Sequence, residues 1–147
     1  MSDYDIDLSQ WAEQQAALLR RRAAGERINE ADLDWANIAE EIEAVGGNTR
    51  RELRNRLKRL LQHLLKWQYQ PEHRSRSWRS TIRTQRQEIE DLLADNPSLK
   101  AKLPELFEAA WPRARTDALE ETGLLDLPQA PPFTVEQALG DPLSDDL

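Results

Sequence analysis

Residues 63–89, HLLKWQYQPEHRSRSWRSTIRTQRQEI, decide the fold. Before Pro71, Leu64, Leu65 and Trp67 extend an apolar series through Leu53, Leu57, Leu60 and Leu61. Steps of three and four place such a series on one face of an α-helix. After Pro71, Trp78, Ile82 and Ile89 begin a second series at helical spacing, continued by Leu92 and Leu93. Pro71 separates the two, because the residue before a proline avoids helical dihedrals. Two long helices joined by a turn follow. No segment alternates apolar with polar residues as a half-buried strand would.

Toward the N-terminus, Asp7 is a candidate cap for a first helix, with Gln10 at its third position. Leu8, Trp11, Leu18 and Leu19 form its stripe, Arg20, Arg21 and Arg22 suit its C-terminal dipole, and Gly25 stops it. Asp32 and Asp34 are cap candidates for a second helix to about Val45, with Trp35, Ile38, Ala39 and Ile42 as its buried stripe. Gly46-Gly47 is expected to end it, and Asn48 or Thr49 to cap the third helix. Toward the C-terminus, Asn96-Pro97 starts a helical region to Thr122, restarted at Pro104, kinked by Pro112 and stopped by Gly123. Residues 126–133, DLPQAPPF, read as an extended strap. Thr134 with Gln137 then caps a short helix ending near Leu139. The expectation is an all-α protein. It is a single-domain helical bundle over residues 1–147 with about five main helices, a proline-rich C-terminal strap and a short terminal helix. Residues 1–7 and 140–147 are expected to fray.

A chain of 147 residues fits one domain, and its apolar residues are patterned rather than scattered. It has no cysteine, which excludes disulfides, thiolate metal sites and cysteine nucleophiles. The acidic start MSDYDIDLSQW has no apolar core of a signal peptide. No apolar run approaches the ~20 residues of a membrane span. A cytoplasmic protein without a membrane partner is expected. Charge is segregated: residues 1–49 carry −7, residues 50–86 carry +10, and residues 87–147 carry −10. Such a basic middle is either neutralised by the chain's own acids or is an anion-binding face.

The motifs HLLKWQYQP, RSRSW, TIRTQR, NPSL and ETGL, after LDWANIAEEIEAVG, resemble a family of small bacterial proteins. It is catalogued as domain of unknown function number 29. The likeness runs from YDIDLSQWAEQQAALLR to PPFTVEQAL, nearly the whole chain. It implies an all-helical bacterial protein and supplies no established activity and no active-site residues. Pro112, inside a helix, departs from the family's pattern.

Three chemistries compete. His63 and His73 form a candidate acid–base pair for RNA cleavage, since imidazole titrates near neutrality. Arg56 precedes His63 at a spacing found in one class of helical ribonucleases, although Leu57 stands where a polar residue often follows. The structural alternative has His63 at the core edge, bonded to a glutamate of the second helix, and His73 in a loop. Nucleic-acid binding would use residues 50–86. There Arg74, Arg76, Arg79, Arg83 and Arg86 supply charge beside Tyr69, Trp67 and Trp78, which can stack bases. The same residues suit a protein interface, where arginine pairs with carboxylates and stacks on aromatics. Glu40 and Glu43 share a helix side, yet no repeated Glu-x-x-His pair accompanies them, so no metal and no cofactor are expected. A non-enzymatic interaction or regulatory protein, binding a protein partner or itself as a homo-oligomer, ranks first. Nucleic-acid binding ranks second and a ribonuclease third.

Overall fold

A computed structural model describes residues 2–140. Among them the chain is all-α: helices α1 (Asp3–Ile6), α2 (Leu8–Ala23), α3 (Trp35–Tyr69), α4 (Arg76–Asp95), α5 (Leu103–Thr122) and α6 (Val135–Leu139). Short 3-10 turns cover Glu30–Asp32, Pro71–His73 and Pro97–Lys102. Two compact units make up the chain, Met1–Gly47 and Asn48–Leu147.

In the first unit, Asp7 caps α2 as expected, its carboxylate accepting from Gln10 N at 3.0 Å. Gly25, at φ 88°, takes the left-handed conformation after α2. Gly25 N then donates to Arg22 O and Glu26 N to Arg21 O, at 3.1 and 3.0 Å. These two bonds satisfy carbonyls that the helix end leaves open. Within residues 1–7, where fraying was expected, Asp3–Ile6 closes one helical turn. Ser2 holds it by donating its hydroxyl to Asp5 Oδ2 at 2.8 Å.

The largest departure from expectation is α3. It runs unbroken for 35 residues through Gly46-Gly47, merging the expected second and third helices. Neither glycine has a positive φ. Glycine permits a left-handed stop but does not impose one. Starting a new helix costs a nucleation step, whereas extension adds one hydrogen bond per residue fixed.

The second unit is built on the leucines of α3. Leu53, Leu57, Leu60, Leu61, Leu64 and Leu65 are fully buried with Ile82 and Ile89 of α4. Ala110, Ala114 and Ala118 put a small-residue stripe of α5 into the same core. Ser75 caps α4 by accepting from Trp78 N at 3.2 Å. Trp78 is half-buried, packed on the core's margin rather than sealed inside it. Gly123, at φ 73°, ends α5 in the left-handed region.

The proline-rich strap is fixed by two side chains of α5. Arg115 Nη2 donates to Asp126 Oδ1 at 2.9 Å and to Leu127 O at 3.0 Å, and its Nε reaches Pro128 O at 3.0 Å. Trp111 Nε1 donates to Gln129 O at 2.8 Å. Leu127 and Phe133 are buried beneath these bonds. The Thr134–Gln137 capping box forms as read, at 2.9 and 3.1 Å. Of residues 140–147, also expected to fray, those beyond Gly140 lie outside the described residues.

Candidate functional site

The first unit carries a groove between α2 and the opening turns of α3. Its volume is about 260 Å³, and Trp11, Ala16, Leu19, Ile38, Ile42 and Val45 line it, with Glu41 among them. The loop between the helices is tied down by polar groups of α2 and α3. Gln15 accepts from Asp34 N at 2.8 Å and donates to Asp32 O at 3.1 Å. Asp34 Oδ2 accepts from Trp11 Nε1 at 2.9 Å and from Asn37 Nδ2 at 2.8 Å. The bond from Asn37, followed by that from Trp11, holds the Asp34 carboxyl below its ordinary pKa. Tyr4 adds a further tie: its hydroxyl donates to Glu41 Oε1 at 2.7 Å. That bond to a carboxylate pushes the phenol up to about 12. The Tyr4 ring meets Trp11 edge-on, centroids 4.8 Å apart.

This frame leaves apolar side chains outside. Ile42 is 68% exposed, Val45 67% and Trp35 53%. Leu8 and Ile6 are exposed as well. The expected burial of Trp35, Ala39 and Ile42 is therefore corrected. Helical spacing places residues on one face but does not supply a neighbour to cover it. Trp11 is the buried residue of α2.

The predicted site residues fall into different environments. His63 is buried on α3, and its Nδ1 lies 3.0 Å from Arg59 O. That carbonyl, rather than a glutamate, is its partner. Burial pulls its pKa below the ordinary imidazole value. His73 is exposed in the Pro71–His73 turn, 3.9 Å from Glu72. One imidazole thus faces the core and the other solvent. Arg56 is tied to Glu52 at 3.2 Å and Gln85 at 3.3 Å, with Glu88 at 3.8 Å.

Arg74 donates its Nε to Trp67 O at 2.9 Å and lies 4.7 Å from the Trp67 ring centroid. Arg79 stacks over the same ring at 5.7 Å. Arg86 donates to Ala138 O at 2.9 Å, holding α6, and desolvation lowers its pKa. Arg74, Arg79 and Arg86 therefore support the fold locally. Arg76, Arg83 and Tyr69 are exposed, and neither arginine forms an ion pair among the described residues. The basic middle is only partly neutralised. Arg56, Lys58 and Lys66 have carboxylate partners, whereas Arg50, Arg51, Arg54 and Arg59 have none among the described residues.

Sequence reasoning missed two polar groups. Lys66 is buried, donating to Glu121 Oε1 at 2.7 Å and lying 4.7 Å from the Trp78 centroid. Its place inside the leucine run was the available signal. Arg115 gave no signal, because its partners are strap carbonyls.

Among the described residues no three His, Asp or Glu side chains gather as a metal site, and no helix is long and apolar enough to cross a membrane. Residues 4–142 match the family described as Domain of unknown function DUF29. No curated protein and no solved structure matches the chain.

Proposed function

The chain belongs to the DUF29 family, and from that premise we propose that this protein is a non-enzymatic interaction module. Its first unit would receive an amphipathic helix of a protein partner in the groove between α2 and α3. The stripe of half-buried Ile38 with exposed Ile42 and Val45, on a rigidly braced helix, carries this reading. A groove between two helices accepts a third through anchors spaced at three and four residues. Charge specifies the partner's flanks. Residues 1–49 carry −7, with Glu40, Glu41 and Glu43 along the same helix, so the fitting helix is basic beside its apolar stripe. The compartment would be the bacterial cytoplasm, since a chain without cysteine needs no oxidising environment.

Two synthetic helices test the proposal, both with a leucine stripe, one flanked by lysines and one by glutamates. Titration should show the lysine helix binding and the glutamate helix at least tenfold weaker. Ile42→Asp should reduce binding of the lysine helix by a further tenfold or more. A mass measurement of the free protein runs alongside. Equal binding of both helices, or a dimer dissolved by Ile42→Asp, would replace the basic helix with another occupant.

A second reading, nucleic-acid binding through residues 50–86, is favoured by the arginines without carboxylate partners. Counterion release from phosphate would then make affinity fall steeply with salt.

A further inference from the structure

In the second unit a smaller pocket, about 180 Å³, opens beside α3 and α5, lined by Arg54, Asn55, Lys58, Ala109, Ala110 and Arg113. Three of the six are cations and none is a carboxylate. Helical geometry explains the convergence. Arg54 and Lys58 stand one turn apart on α3, as do Ala109 and Arg113 on α5, so each pair shares a face. Exposed Ala109 keeps the space open, since a longer side chain there would fill it. Arg54 and Arg113 form no ion pair or hydrogen bond among the described residues. Lys58 has one acidic neighbour, Asp117, at 3.9 Å, the long end of ion-pair distances.

We propose that this pocket binds the phosphate group of a small ligand. Two guanidinium forks and an ammonium match a dianion's oxygens, and the Asn55 amide adds a further donor. Without a ligand, the three cations that line the one pocket repel one another. A dianion would remove that repulsion, so binding and stability are linked. Size limits the ligand. About 180 Å³ corresponds to roughly six water volumes, enough for one phosphate group and a few further atoms. Asp117 competes for Lys58, so its removal should tighten binding. The pocket is independent of the groove in the first unit.

The experiment uses the full chain with inorganic phosphate and, separately, glycerol monophosphate, against chloride at matched ionic strength. Thermal midpoint and the phosphorus resonance of the ligand are followed together. Saturable stabilisation by phosphate is expected, weakened at least tenfold by Arg54→Ala with Arg113→Ala and strengthened about threefold by Asp117→Asn. Tighter binding of the monophosphate than of free phosphate would identify an ester as the ligand, and the reverse order the free ion. Ala109→Leu fills the pocket while keeping every charge. It should abolish binding, and it serves if the double variant does not fold. Stabilisation equal to chloride's, or unchanged in Ala109→Leu, overturns the proposal.

Discussion

Lys66 Nζ lies 2.7 Å from Glu121 Oε1, joining a buried position of α3 to the last turn of α5. The two ends differ in setting: the Lys66 side chain is 5% exposed and that of Glu121 48%. The Lys66 bond is the main cause that holds the Glu121 carboxyl below its ordinary pKa. A depressed carboxyl contributes stability that is present above its unfolded pKa. That stability is lost as pH falls through the folded value. Acid should therefore weaken the protein from about pH 4.5 downward in part through this residue. Glu121→Gln should flatten that limb. It leaves Lys66 without its carboxylate, a change that costs roughly 3–5 kcal/mol for a fully buried pair. Solvent around Glu121 reduces this to about 1–2 kcal/mol. Urea titrations of both proteins at pH 7 and pH 3 measure the difference.

His63 should titrate below the ordinary histidine value, because burial disfavours its charged form. Its folded pKa is depressed, so the unfolded chain binds the proton more readily. Stability is then full above about pH 6.5 and declines as pH falls through the folded value. Proton NMR of the two imidazoles checks this directly. A His63 midpoint at or above that of a model peptide contradicts the buried, neutral ring.

Gly46→Ala with Gly47→Ala tests the continuity of α3. Both glycines sit inside a helix without positive φ. Interior glycine costs about 0.5–1 kcal/mol relative to alanine. The double variant should thus be more stable by about 1–2 kcal/mol, with higher helicity by circular dichroism. Were the glycines a left-handed stop, alanine would be strained there and stability would fall.

The strap depends on Arg115, whose guanidinium joins Asp126, Leu127 and Pro128. Arg115→Ala should cost about 1–3 kcal/mol, since it removes charge-assisted bonds and leaves part-buried carbonyls unsatisfied. Faster amide exchange and proteolysis within residues 124–133 should accompany the loss. Unchanged protection there would mean that Trp111, Leu127 and Phe133 hold the strap without Arg115.

These residues also show what the sequence made legible. The Leu53–Leu65 periodicity placed the core, and Asp7, Gly25 and Gly123 mark ends through local chemistry, which needs no distant partner. Gly46-Gly47 misled because a glycine reports permission and not obligation. Ile42 misled because periodicity identifies a face and not its cover. Arg74 was read from its charge as a candidate for partner binding; its local partner, a carbonyl seven residues earlier, left no mark in the pattern. Of the candidate sites, the Arg54–Arg113 pocket was illegible. It requires α5 beside α3, a packing no local pattern encodes.

Arg74 and Arg83 make the last contrast, because both were candidates for partner binding and the structure treats them differently. Arg74 donates to the final turn of α3 at Trp67 O and covers the Trp67 ring. A cation suits that position: it meets the negative end of the helix dipole and the face of an aromatic ring. Arg74→Ala should cost about 1–2 kcal/mol, the sum of a modest hydrogen bond and a cation–π contact. Arg83 is exposed, and no hydrogen bond or ion pair holds it among the described residues. Its replacement by alanine should stay within about 0.5 kcal/mol. Denaturation midpoints of the two variants, measured beside a low-salt titration with single-stranded RNA, separate structure from binding. Stability loss confined to Arg74→Ala assigns that arginine to the fold. Equal stabilities, with RNA affinity reduced in both variants, would instead make Arg74 and Arg83 parts of one nucleic-acid surface.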